Sequence, residues 1–179
     1  DMNTGQTLLT MGALMLICII ILNFNVTSNN IGTSLDFNRF RLEGLSILTS
    51  HIEQLSQYYF DEVSTDTINE KRVNNFSQDH QLGFDNGDNN VIDDIDDFHG
   101  LTVVDTGMSG VIYNVNFEVD YVNLQSGIIT HSGNREYHKR VSLSVSDAFD
   151  PPLVYSMSGS NRVRDTLKVE VVISYWFFN

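Results

Sequence analysis

The chain has 179 residues, which is enough for one globular domain with an appended segment. Its formal net charge is −13, and only 10 residues are Lys or Arg. Phosphate binding requires clustered basic residues, so this balance argues against a nucleic-acid backbone as a partner. The single cysteine, Cys18, excludes an intrachain disulfide.

An uncharged stretch, residues 2–35, opens the chain, and its segment 8–24 (LLTMGALMLICIIILNF) is almost wholly apolar. As a helix these 17 residues span about 25 Å. That is slightly short of the roughly 20 residues of a bilayer span, but the uncharged neighbours can extend it. It lacks the basic residues of a secretory signal and the basic flanks that orient single-pass proteins. The segment is therefore predicted to enter a membrane without being fixed there.

Residues 23–34 (NFNVTSNNIGTS) are rich in Asn, Ser, Thr and Gly, which favour caps and turns. We expect the helix to loosen here into a flexible stretch, although a membrane-proximal stalk is an alternative. An amphipathic helix over residues 36–60, capped by Ser34 or Asp36, is then predicted. Its apolar positions recur mostly every three or four residues: Leu35, Phe37, Phe40, Leu42, Leu45, Leu48, Ile52, Leu55 and Tyr59.

Residues 61–100 indicate a long connection with one or two short helical turns, and from residue 111 the apolar period changes to two. The alternation of apolar and polar residues predicts strands over 111–122, 137–145 and 167–177, with shorter strands at 101–105 and 154–157. Pro151 and Pro152 separate two strands. The predicted class is α+β: a long N-terminal hydrophobic helix continues into an amphipathic helix packed on a C-terminal antiparallel sheet of about four strands. The predicted domains are a helix with a flexible stretch, 1–33, and a globular head, 34–179.

This order of elements resembles that of type IV pilins and pseudopilins. The strand FEVDYV at 117–122, followed by a polar loop and HKRVSLSV at 138–145, is similar to strands of bacterial pilin-like proteins. The resemblance implies an extracellular filament of identical subunits at the cell surface, with adhesion, motility, DNA uptake and secretion all left open as its role. It also implies an inner-membrane form before assembly, a prepilin peptidase that leaves Asp1 as the mature terminus, and pilus assembly machinery.

Typical bacterial pilins begin with Phe and carry Glu at the fifth position, whose carboxylate offsets a neighbouring N-terminal ammonium. Asp1 and Gly5 occupy these positions here. A buried ammonium still needs a partner, and Asp1 is the predicted one. Small residues that allow close helix approach and large apolar residues form the predicted filament core: Asp1, Gly5, Leu8, Leu9, Gly12, Ala13, Leu14, Leu16, Ile17, Ile19, Ile20 and Ile21.

Acidic residues concentrate between positions 85 and 97 and make a candidate calcium site, because calcium prefers oxygen ligands. The candidates are Asp85, Asp88, Asp93, Asp94, Asp96 and Asp97. They do not follow the EF-hand pattern, and a solvated acidic loop is the alternative. We expect no other cofactor.

No catalytic motif is found: the five histidines lack metal-site spacing, and no Ser lies in a G-x-S-x-G elbow. We therefore expect no enzymatic activity. The favoured function is that of a structural pilus-like subunit. The alternatives are a minor pilin, a secretion-system pseudopilin, or a monomeric single-pass membrane-anchored surface domain.

Overall fold

The computed structural model describes residues 4–61, 72–84 and 91–175. These residues belong to two compact units that divide between Arg39 and Phe40. A single helix, α1 (Thr4–Leu55), begins in the first unit and ends in the second. The prediction of an α+β fold with a long apolar N-terminal helix and an antiparallel sheet is confirmed.

The predicted break in the helix at residues 23–34 is wrong, because α1 is continuous through this stretch. Each Asn, Ser or Thr weakens a helix by less than about 1 kcal/mol, and α1 contains no proline that would remove an N–H donor. The hydroxyl of Thr33 also donates back to the carbonyl oxygen of Asn30 at 2.9 Å, a bond compatible with the helix. No cap at Ser34 or Asp36 is therefore formed.

In the second unit, α1 buries Gly44, Ile47, Leu48 and Leu55, which recur every three, four or seven residues on one face. This face packs into the main core, whereas Leu42, a member of the predicted stripe, is 66% exposed and lies off the buried face. The helix ends at Leu55, five residues before the predicted end at Phe60. Tyr59 instead forms an isolated bridge with Asp94.

The connection that follows α1 contains three 3-10 turns among its described residues: Val73–Asn75, Asp79–Gln81 and Asp96–Phe98. One or two turns were expected. Phe76 and Phe98 are buried, so these turns close part of the core instead of forming a solvated linker.

The described strands form a five-stranded antiparallel sheet and a separate hairpin. The main sheet contains β1 (Thr102–Thr106), β2 (Ile112–Gln125), β3 (Ile128–His131), β4 (His138–Asp147) and β7 (Leu167–Ser174). Its order is β1-β2-β4-β7, and β3 pairs with the far end of β2. The hairpin pairs β5 (Tyr155–Ser158) with β6 (Asn161–Arg164).

Strict alternation along the two central strands places one set of side chains against α1. In β2 the buried set is Tyr113, Val115, Phe117, Val119 and Tyr121. In β4 it includes Val141, Leu143 and Val145, which pair with Val119, Phe117 and Val115 in register. The predicted strands at 111–122 and 137–145 are therefore confirmed with the predicted faces.

Candidate functional sites

The first candidate site is the apolar surface of α1 before residue 24. Every Leu, Ile and Met from Leu8 to Leu22 is at least half exposed, with values from 51% at Ile17 to 76% at Leu8. An 18-residue window of this helix has a mean hydropathy of 2.4, and none of it is buried. By length and composition, α1 can cross a membrane.

The apolar residues of this segment surround the helix instead of forming a stripe. The four consecutive residues Leu14, Met15, Leu16 and Ile17 already point in four directions around the axis, at about 100° per residue. A helix that is apolar on every side is stable only when it is covered on every side, by lipid or by protein. This segment therefore requires a covering of lipid or of protein.

The predicted core residues 5–21 lie on one uninterrupted helix. Gly5 and Gly12 each have open space where a Cβ would stand, and Ala13 is exposed, so another helix can approach closely at these points. Asp1, the predicted partner of the N-terminal ammonium, lies outside the described residues, and its role stays a prediction.

The second candidate site is a buried ionic cluster around Lys139 in β4. The side chain of Lys139 is fully buried, and its Nζ donates to the carbonyl oxygen of Phe60 at 2.7 Å. Nζ also contacts Oδ2 of Asp61 at 3.0 Å and Oδ1 of Asp96 at 2.9 Å. The Phe60 ring lies below the ammonium, with 4.6 Å between Nζ and the ring centroid.

Strand register brings Tyr121 beside this cluster, because Tyr121 in β2 pairs with Lys139 in β4. The Tyr121 hydroxyl lies 2.9 Å from the carbonyl oxygen of Ser77 and 3.2 Å from Oδ2 of Asp61. The backbone N–H of Ser77 donates to the same Asp61 oxygen at 3.0 Å. Burial, followed by the negative charges of Asp61 and Asp96, raises the pKa of Tyr121, so the phenol is neutral.

Asp94 is a buried carboxyl group next to Asp96. Its Oδ1 accepts hydrogen bonds from the N–H groups of Asp96 at 2.9 Å and Asp97 at 3.2 Å. Burial, then a side-chain hydrogen bond with Asp96 and the charge of Asp96, raises the pKa of Asp94 from 3.8 to about 9. Asp94 is therefore protonated at neutral pH.

The calcium prediction gains no support from the four described candidates. Asp96 binds Lys139, and the described contacts of Asp94 and Asp97 are with backbone N–H groups of the same turn. Burial raises the pKa of Asp97 as well. Within residues 4–61, 72–84 and 91–175, no group of three or more His, Cys, Asp or Glu side chains is placed to hold a metal ion. Asp85 and Asp88 lie outside these ranges, and calcium binding stays a prediction.

The sequence does contain a signal for Lys139. Lys139 belongs to the same alternating set as Tyr137, Val141 and Leu143, and this set points toward the core. Its position in the sequence alone therefore predicts a buried amine. Its acidic partners carry no comparable signal, because Asp61 and Asp96 lie in irregular segments 78 and 43 residues away.

Comparison of the chain with protein-family models, with curated proteins and with solved structures finds no match. The function therefore has to be argued from the two sites and from the likeness in element order described above.

Proposed function

We propose that the chain is a structural subunit of an extracellular, type IV pilus-like filament, in which the apolar half of α1 packs against the same helix of identical subunits. One observation carries this proposal: the segment from Leu8 to Leu22 is apolar on all sides, and each of its Leu, Ile and Met side chains is at least half exposed. Polymerisation covers such a helix with copies of itself.

The energetics fit a helix that exchanges lipid for protein. In water each fully buried Leu or Ile is worth about 1.5–3 kcal/mol, so an uncovered segment of this length is not tolerated outside a membrane or a polymer. When the helix moves from lipid to a bundle of helices, the hydrophobic free energy hardly changes, because both surroundings are apolar. Van der Waals packing between the helices then determines whether they associate. The open space at Gly5 and Gly12 lets backbones approach, which favours helix–helix contact.

The partners follow from this mechanism and from the pilin resemblance. They are identical subunits in the filament, the inner membrane before assembly, a prepilin peptidase and the assembly machinery. Contacts between different faces of identical subunits continue without closing, which generates an open filament. The acidic head, on a chain with a formal net charge of −13, keeps such a filament soluble.

A second function is a single-pass membrane-anchored surface domain, and the length and hydropathy of α1 favour it. A minor pilin or a pseudopilin would use the same helix contacts in a shorter assembly.

The test is negative-stain microscopy of material sheared from source cells, combined with peptide mass spectrometry of the purified filaments. We expect long filaments that contain this chain and that are lost when its gene is deleted. Filaments that persist after deletion, or a chain recovered only as a detergent-soluble monomer, would overturn the proposal in favour of the membrane-anchored domain.

A further inference from the structure

We infer that Lys139 and Asp96 join in an intramolecular amide bond inside the folded head. The amine nitrogen and the Asp96 carboxyl oxygen Oδ1 already lie 2.9 Å apart, and both side chains are almost fully buried, at 0% and 4% exposed. This chemistry involves only the second compact unit and does not depend on filament assembly.

The reaction balances without any outside reagent. The ammonium of Lys139 and the carboxylate of Asp96 together contain the atoms of one amide and one water. Nζ passes a proton to a contacting carboxylate and then attacks Cγ of Asp96. The C–N bond forms, one C–O bond breaks, and the departing oxygen leaves as water with two protons that began on the ammonium. No oxidant, reductant or activated ester is required.

Burial favours the neutral amide over the ion pair. Two charges removed from water pay a desolvation cost that their mutual attraction only partly offsets. The amide has no net charge, and the expelled water molecule returns to the solvent. The fold also holds the two reacting groups in contact, which gives intramolecular reactions a very high effective concentration.

Asp94 is placed to transfer the proton that the reaction needs. The two residues are in contact, since the backbone N–H of Asp96 donates to Oδ1 of Asp94 at 2.9 Å, and burial raises the pKa of the Asp94 carboxyl so that it carries a proton. Donation of that proton to an Asp96 oxygen makes Cγ more electrophilic and makes the oxygen a better leaving group. Asp94 then recovers a proton from the nitrogen.

Asp61 is the competing acceptor, since its Oδ2 lies 3.0 Å from Nζ. Its carboxylate, however, accepts hydrogen bonds from the N–H of Ser77 and lies within reach of the Tyr121 hydroxyl. An oxygen that already accepts these hydrogen bonds is less available to take up the proton with which a departing oxygen must leave. Asp61 therefore serves as the proton acceptor for the ammonium, and Asp96 serves as the acyl group.

Such a bond would tie the turn at Asp96–Phe98 to the central strand β4 across 43 residues of chain. A covalent link that closes a long loop restricts the unfolded state and raises the temperature of unfolding. In a filament subunit it would also prevent the connection after α1 from being pulled off the sheet.

The experiment is peptide mass spectrometry on the full chain, extracted in detergent and digested with trypsin. Cleavage at Arg72, Arg135 and Arg140 places Asp96 in peptide 73–135 and Lys139 in peptide 136–140. We expect these two peptides to be joined, with a mass lower by one water molecule than their sum and no cleavage after Lys139. Asp61 falls in a third peptide, 42–71, so the acceptor is identified directly.

Asp96→Ala should give the two separate peptides, and the matched control Asp97→Asn should keep them joined, because Asp97 does not contact Lys139. Asp94→Asn should lower the joined fraction, and an unchanged fraction would overturn its assigned role. Separate peptides from folded wild-type protein would overturn the proposal. A link to peptide 42–71 would overturn the choice of Asp96. These last two results come from wild-type protein, so the test of the bond does not require any variant to fold.

Discussion

Glu43 on α1 accepts hydrogen bonds from both the backbone N–H and the hydroxyl of Ser109, a residue 66 positions further along the chain. The Tyr113 hydroxyl lies 3.2 Å from the same carboxylate. Gly107 has no Cβ, and one placed there would stand 2.4 Å from Cδ of Glu43. The Glu43 carboxylate therefore links α1 by hydrogen bonds to the turn between β1 and β2.

Glu43→Ala should destabilise the head by about 1–3 kcal/mol, because it leaves the half-buried N–H and hydroxyl of Ser109 without their acceptor. Thermal unfolding of the full chain in detergent, followed by circular dichroism, measures the effect. The control is Glu53→Ala, on an exposed position of the same helix. Equal midpoints for the two variants would contradict the role assigned to Glu43.

Gly44 is the point of closest approach between α1 and the sheet. A Cβ there would lie 3.1 Å from Cδ1 of Leu167 and 3.4 Å from Cγ1 of Val145. Gly44→Leu should therefore cost about 1–3 kcal/mol or more, because the added atoms overpack the core.

The matched variant is Gly32→Ala, in the same helix, where a Cβ meets no atom within 4 Å. It should be neutral or stabilising by up to about 1 kcal/mol, because Ala favours helix over Gly. Chemical denaturation of both variants checks the pair, and comparable losses would show that Gly44 is not a packing contact.

Asp147 is fully buried and organises the loop after β4. Its Oδ1 accepts from the N–H groups of Phe149 and Leu153, and its Oδ2 accepts from that of Val154. Asp147→Ala should cost several times the roughly 1 kcal/mol of an average hydrogen bond, because it leaves these donors unpaired. Asp147→Asn keeps one acceptor oxygen and should fall between Ala and wild type. A reversed order in the measured unfolding free energies would contradict this assignment.

Asp94 should make stability depend on pH in the direction opposite to that of a typical ion-paired aspartate. Between pH 3.8 and about 9 the folded protein holds a proton on Asp94 that the unfolded chain releases. The contribution of Asp94 to the free energy of unfolding is therefore fully present below pH 3.8 and is lost as the pH rises toward 9.

Asp94→Asn removes this titration while it keeps an acceptor for the N–H groups of Asp96 and Asp97. The thermal midpoint of the variant, relative to wild type, should rise steadily from pH 4 to pH 9. Asp36→Asn, at an exposed position of α1, serves as the control. A constant difference between variant and wild type over this range would show that Asp94 is ionised in the folded state.

A substitution at Gly12 can distinguish membrane insertion from the proposed filament packing. Gly12→Leu makes the segment more apolar, so it should still enter a membrane, but the larger side chain blocks close helix approach. We expect the protein in the membrane fraction and few or no filaments by negative-stain microscopy. Leu9→Ile preserves volume and should leave filaments intact. Abundant filaments from Gly12→Leu would show that position 12 does not lie at a tight helix contact.

The long strands could be predicted because their faces differ in polarity. In β2 and β4 every second residue is buried, so a period of two is visible over ten or more positions. Strands β3 and β6 were missed, since each has four residues and all of them are exposed. The turn between β2 and β3 carried a usable sequence signal, the pair Ser126-Gly127, and in the structure both residues have the positive φ of a two-residue hairpin turn.

The helix and the ionic cluster show where local patterns fail. The composition of residues 23–34 suggested a break, but small propensity differences do not end a helix that extends on both sides. The inward position of Lys139 was readable from alternation. Its contacts with Asp61 and Asp96 were not, because the positions of those residues depend on how an irregular connection folds over the sheet.

The hairpin Tyr155–Arg164 gives the head a convenient attachment point for labels. Its strands pair only with each other among the described residues, and their side chains contribute nothing to the core. The turn at Gly159, with its positive φ of 63°, is exposed and has open space around it. A short epitope or a fluorophore-reactive cysteine inserted there would leave the sheet and α1 untouched. Each copy of the chain could then carry a label that leaves the buried core of the head unchanged.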